Sequence, residues 1–206
     1  MGLYEKFVVP HIINCACGTK PVTYQRKKVV PMCEGTVLEI GIGTGFNLPY
    51  YDASKVTKVI GLDPSERSWK LAGERAKGVD FPVEFIGLPG EQIPLADASV
   101  DTVLVTYSLC TIPDPMQALA GMRRVLKPGG KLVFCEHGAA PDADVAKTQN
   151  RVNPVWKVLF GGCNLNRKID TIIEGSGFKI DKLESMYLPS TPRFAGFNYW
   201  GVAQSA

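Results

Sequence analysis

Short apolar runs alternate with amphipathic stretches along most of this 206-residue chain. The runs "TVLEI" (36–40), "KVIGLD" (58–63), "VEFIGL" (83–88), "VDTVLVTYS" (100–108) and "KLVFCEH" (131–137) are bounded by Gly, Pro or Asp. Runs of that length with such boundaries mark strands covered on both faces, as in a parallel sheet. The gaps between them read as helices. The stretch 65–77 opens at Ser65 and sets Trp69, Leu71 and Ala72 among lysines and arginines. The stretch 114–126 opens at Asp114 with Pro115 at the first helical position and stops at "LKPGGK" (126–131). A third helix, 166–174, opens at Asn166 and closes at the "GSG" of 175–177. The last runs, "FKIDKLESMYL" and "FNYWGVAQ", read as an antiparallel pair closing one sheet edge. The alternation predicts an α/β protein with helices on both faces of a mostly parallel sheet.

Two regions fall outside the alternation. Residues 3–32 read as two short helices broken at Pro10 and Gly18, so that 1–33 form a helical cap on a single domain spanning 1–206. Residues 138–165 form an insertion after the fifth strand. Insertions on such sheets lie where strands end, so both regions are expected over the ligand site.

The ligand is suggested by "EIGIGTG" (39–45), which follows the first strand at the place where open α/β sheets bind ligands. Gly41 and Gly43 satisfy the first two positions of a dinucleotide fingerprint, but the third falls on Phe46 and the next glycine is Gly45. Glu39 stands two residues before the turn, where its charge would repel a pyrophosphate and favour an ammonium, directly or through water. Asp63 ends the second strand, 22 residues after Gly41, where a carboxylate accepts both hydroxyls of a ribose. A ligand with a ribose, a positive charge and no phosphate fits, and S-adenosylmethionine is such a ligand.

Charge and cysteines alter this picture little. Residues 1–33 carry Lys6, Lys20, Arg26, Lys27 and Lys28 against Glu5, whereas the whole chain is +3. This local excess reads as a solvated face or a steering patch for anions, not as the basic stripe of a nucleic-acid binder. The start "MGLYEKFVVP" lacks the apolar core of a signal peptide, and a reducing cytoplasm is expected. Cys15 and Cys17 have no partner pair at finger-like spacing and there are two histidines, so no metal site is expected.

With these features in place, "VLEIGIGTG", "GLD", "GEQIPLADASVDTVLVTYSLC" and "RVLKPGGKLVF" resemble, in that order, the class I S-adenosylmethionine-dependent methyltransferases. That resemblance implies a seven-stranded Rossmann-like sheet with the last strand antiparallel. It implies a cofactor held by Glu39, Gly41, Gly43, Gly45, Asp63, Gly90, Glu91 and Tyr107, with Gln92 also near the adenine. A narrower resemblance, carried by "SLCTIPDP", "FCEHGAA" and "NPVWKVLFGGCNLNR", is to the methyltransferase-like seven family of alkyl thiol methyltransferases. It implies a small thiol or sulfide as acceptor; a lipid, a quinone or another small oxygen, nitrogen or carbon acceptor is the alternative. Animal members begin with a hydrophobic anchor that this sequence does not show, although "LYEKFVVPHII" fits a peripheral membrane contact.

The acceptor-side candidates are Tyr107, Cys110, Glu136, His137, Cys163, Asn164 and Arg167. His137 either takes a proton from the acceptor or bonds the insertion. Arg167 either orients an anion or pairs with a carboxylate such as Glu136. Cys163 and Asn164 either face the acceptor or shape the turn before the next helix. Trp156 and Phe160 either line an apolar acceptor site or pack together at helical spacing. Trp200 is expected in the core.

Overall fold

A computed structural model describes residues 14–205. It contains one seven-stranded sheet: β1 (Gly35–Ile40), β2 (Val56–Leu62), β3 (Val83–Ile86), β4 (Val100–Thr106), β5 (Leu126–His137), β6 (Phe178–Tyr187) and β7 (Phe197–Ser205). The strand order is β3-β2-β1-β4-β5-β7-β6. β7 runs antiparallel to both β5 and β6. The chain's last strand is therefore inserted beside β5, and β6 rather than β7 forms the edge. The helices are α1 (Lys20–Val29), α2 (Glu66–Ala76), α3 (Pro115–Val125), α4 (Ala143–Leu159), α5 (Ile169–Gly175) and α6 (Arg193–Gly196).

Local chemistry explains the boundaries. Ser65 caps α2 by accepting the Ser68 N–H, and Asp114 caps α3 by accepting the Gln117 N–H. α5 starts at Ile169 with Lys168 as its N-cap, later than the expected Asn166, because the Asn166 side chain bonds Asn150 instead. The expected break at Gly18 is followed by α1, whereas the break at Pro10 and the proposed surface segment lie outside the described residues.

Successive strand residues face opposite sides, so each strand serves two cores. Leu38, Ile40, Leu62 and Val105 pack with Leu119, Met122, Ile169 and Ile173 on one side. Val37, Val59, Leu104, Val133 and Trp200 pack with Val29, Leu48 and Tyr51 on the other. This alternation sends Glu39 to the side occupied by α1 and residues 47–51. Among the described residues no helix is long and apolar enough to cross a membrane.

Candidate active site

A cavity of about 350 Å³ opens at the C-terminal ends of β1, β2 and β4. β1 has β2 on one side and β4 on the other. The sheet therefore splits its connections there, which is where open α/β sheets bind ligands. Ile40 to Thr44, Leu62 to Ser65, Thr106 to Ser108, Pro89 to Glu91 and Thr111 to Pro113 form its walls, joined by Asn14, Cys17 and Arg26.

The glycine turn has two separate duties. Gly41 sits at φ +73°, and a Cβ there would stand 2.1 Å from Ser108 Oγ, so only glycine lets the turn close against the loop after β4. Gly43 donates its N–H to Asp63 Oδ2 at 3.0 Å, and Ser65 N–H donates to Oδ1 at 2.8 Å. Asp63 is thereby fixed with lone pairs to spare, while burial raises its pKa, partly offset by those two N–H groups. Gly45 departs from its expected role. It does not line the cavity; its Cα faces α2, where a Cβ would meet Leu48 Cδ1 at 2.9 Å and Ala72 Cβ at 3.1 Å. Helix packing explains that glycine.

Glu39 also stands behind the wall rather than in it. Its carboxylate accepts from Asn47 Nδ2 at 2.8 Å and from the Tyr51 hydroxyl at 2.7 Å. Burial raises its pKa to about 7 despite these bonds. Arg26 from α1 lies in front of it, donating to Asn47 Oδ1 at 2.6 Å and Thr106 Oγ1 at 3.2 Å. Its guanidinium stands 5.6 Å from the ring centres of Phe46 and Tyr107. The sequence placed Arg26 in a solvated basic face, but only 5% of it is exposed. Lys27 and Lys28 of the same turn lie over rings too, Lys27 over Tyr50 and Lys28 over Tyr24 and Trp200. No spacing in the sequence singles out the arginine.

The loop after β4 is held between opposite charges. Glu136, buried at the end of β5, accepts the N–H groups of Ser108, Leu109 and Cys110 at 2.7, 3.0 and 3.2 Å. Arg167 donates to the carbonyls of Leu109 and Ile112. The expected Glu136–Arg167 pair is thus replaced by two contacts to the peptide chain between them. Arg167 does not line the cavity. Asn164 donates both its backbone N–H and its Nδ2 to the Cys110 carbonyl, at 2.8 and 3.0 Å. Tyr107 opens the loop at φ +53°, a conformation unusual for a side chain of its size. Its ring lines the cavity and its hydroxyl donates to Asn198 Oδ1 at 2.7 Å.

Gly90 and Glu91 line the cavity and Gln92 does not. His137 is buried behind the loop, with Cys163 Sγ 3.9 Å from each ring nitrogen and 3.7 Å from Cys110 Sγ. Its neighbour in the insertion is therefore a thiol. The rest of the insertion is mostly α4, and no residue of 138–165 lines the cavity. That region backs the loop instead of covering the ligand, and the covering residues Asn14, Cys17 and Arg26 come from the N-terminal segment. Trp156 and Phe160 stack at 3.8 Å, a packed pair away from the cavity wall.

These residues fit a ligand with a ribose, an amino-acid part and no phosphate. Asp63 would take the ribose hydroxyls, and Gly90 and Glu91 would border the base. Arg26 Nε is buried with no hydrogen-bond partner, a donor that a carboxylate would satisfy.

A family profile described as a methyltransferase domain matches residues 38–134. The chain is 37% identical over 172 residues to the thiol S-methyltransferase TMT1B of Rattus norvegicus, covering 79% of this chain and 70% of that protein. It is 32% identical over 115 residues to the demethylmenaquinone methyltransferase of Clavibacter sepedonicus, covering 56% and 46%. A solved S-adenosylmethionine-dependent methyltransferase from Thermotoga maritima shares the fold, with a TM-score of 0.66 at 21% identity over 98% of this chain and 97% of that one. Sheet order, cavity placement and relatives agree: the chain belongs to the class I S-adenosylmethionine-dependent methyltransferases, in the family of the TMT1 proteins, and S-adenosylmethionine is its cofactor.

Proposed function

We propose that the methyl acceptor is a small thiol or sulfide. The observation that carries this is the reach of the likeness. The match to TMT1B spans 172 residues, well beyond the 38–134 methyltransferase core, whereas the match to the demethylmenaquinone enzyme spans 115. The longer match covers 79% of this chain and the shorter 56%.

The cofactor supplies a methyl group on a sulfonium. Transfer from it is an in-line displacement that disperses charge, so positioning and exclusion of water contribute most. Among the described residues the cavity wall holds no imidazole, and its two carboxylates are engaged, Asp63 by Gly43 and Ser65 and Glu91 by the Asp114 N–H. A hydroxyl or amine acceptor needs a placed base more than a thiol does. Arg26 at the wall favours an anionic nucleophile, and the Tyr107 ring, Ile112 and Pro113 suit an apolar substituent. Tyr107, held by Asn198, orients the acceptor in this reading.

The test is a panel of sulfide, short alkyl thiols, a phenol, an amine and a quinol with labelled S-adenosylmethionine, products read by mass. Methylation at sulfur is expected. Methylation at oxygen, nitrogen or carbon with every thiol untouched overturns the reading and favours a quinone- or lipid-type acceptor.

A further inference from the structure

Cys110, His137 and Cys163 each offer one ligand atom, and those atoms lie within 4.8 Å of one another. They stand 27 and 26 residues apart in the chain, on the loop after β4, the end of β5 and the turn after α4. We propose that these three residues bind a zinc-type divalent cation whose fourth coordination position is open to the acceptor thiolate. The open position's occupant rests on the thiol reading above; the metal site does not.

The two separations made by Cys163 come close to those of a tetrahedral site, and the whole set lies within 4.8 Å. With metal–sulfur bonds of about 2.3 Å, tetrahedral geometry sets two thiolates about 3.8 Å apart and a thiolate and an imidazole nitrogen about 3.5 Å apart. The Cys163–Cys110 sulfur separation is 3.7 Å, and the Cys163–His137 separation is 3.9 Å. A disulfide would require about 2.05 Å. Two thiolates and an imidazole are a donor set suited to zinc, and three protein ligands leave room for a substrate.

The surroundings hold the ligands in place. Glu136 accepts the backbone N–H of Cys110, and Asn164, next to Cys163, binds the Cys110 carbonyl twice. Such outer contacts orient and tune metal ligands. One residue stands between the cluster and the cavity: Cys110 Sγ lies 3.5 Å from Thr111 Oγ1, and Thr111 lines the cavity. Cys17 lines the cavity and lies close enough to Cys110 and Cys163 to feel their charge, and Thr111, beside Cys110, forms part of the wall.

In the reaction, the acceptor thiol binds the cation and its proton passes to solvent. The bound thiolate attacks the sulfonium methyl; a new sulfur–carbon bond forms as the cofactor's breaks. The thioether and S-adenosylhomocysteine leave, and the cation's charge is unchanged.

The test uses the whole, reduced, metal-free chain titrated with cobalt(II). One ion per chain is expected, with a thiolate-to-cobalt charge-transfer band and the visible bands of a tetrahedral ion. Cys110→Ser, Cys163→Ser and His137→Ala should each weaken binding at least about tenfold, a loss of roughly 1.4 kcal/mol or more. The exposed Cys15→Ser should change nothing. X-ray absorption of the zinc-loaded parent should count two sulfurs, rising to three when ethanethiol is added, a readout independent of whether any variant folds. No saturable binding, or unchanged binding by the Cys110→Ser/Cys163→Ser double variant, overturns the site. A sulfur count that stays at two overturns the open position. Full thiol methylation by the metal-free protein overturns the role in the reaction while leaving the thiol reading intact; a loaded site with no thiol methylated sinks the thiol reading and leaves the metal site standing.

Discussion

The two sides of the cavity are built differently. One side is a continuous stretch, β1 to the start of α2, in which the glycine turn and Ser65 fix the Asp63 carboxylate through backbone N–H groups. The other side is assembled from the loop after β4, the end of β5 and the turn after α4, where the buried Glu136 and the half-buried Arg167 hold one loop through its N–H groups and its carbonyls. The first side is set by local geometry. The second is set by the convergence of distant elements, so the same type of substitution should have unlike effects on the two.

The largest expected effect breaks the second side. Glu136→Ala leaves two buried N–H groups and one part-buried one without an acceptor, and each unsatisfied buried donor costs about 1–3 kcal/mol. Denaturant midpoints should report it as lost stability; a loss confined to affinity for the acceptor would contradict the role given to this carboxylate.

Next comes pH. Glu39 has an ordinary pKa of 4.5 and about 7 when folded, so the folded state holds a proton that the unfolded chain releases. Its stabilising contribution is complete below the unfolded value and is lost as pH rises through 7, about 3 kcal/mol in all. In cofactor-free protein, Glu39→Gln should lose correspondingly less stability than the parent as pH rises through that window. Parallel stability profiles for the two would place Glu39 in water rather than behind the wall.

Asp63→Ala should leave the fold in place and weaken S-adenosylmethionine binding at least tenfold, since charge-assisted hydrogen bonds contribute roughly 1.5–3 kcal/mol each. Calorimetry checks this, and unchanged affinity would move the ribose elsewhere. Smallest is Gly45→Ala, which should cost about 1–2 kcal/mol of stability through its left-handed backbone and contact with α2. Cofactor affinity should shift less than about threefold. A larger fall would return Gly45 to the cofactor site.

The contrast also explains what was legible in the chain. The strands, α2 and α3 follow from local apolar periodicity and capping residues, and the glycine turn and Asp63 stand at short, fixed separations. Gly45 was misassigned because a turn and a close helix contact both require glycine, and sequence spacing does not distinguish them. Arg26 was misread because charge in a basic turn ordinarily faces water; here Asn47, Thr106 and two aromatic rings compensate its burial. Arg167 was matched to the wrong kind of partner because peptide carbonyls carry no sequence signature.

By itself, the sequence determined the α/β alternation, the position of the glycine turn after β1 and the residues fixed by the period of a strand or the cap of a helix, because these depend on interactions within a few residues. Tertiary structure alone decided that β7 lies inside the sheet, that an arginine from α1 closes the cavity in place of the insertion, and that Cys110, His137 and Cys163 meet. Those outcomes depend on which distant surfaces bury one another, and the side chains brought together share no local periodicity by which they could be recognised.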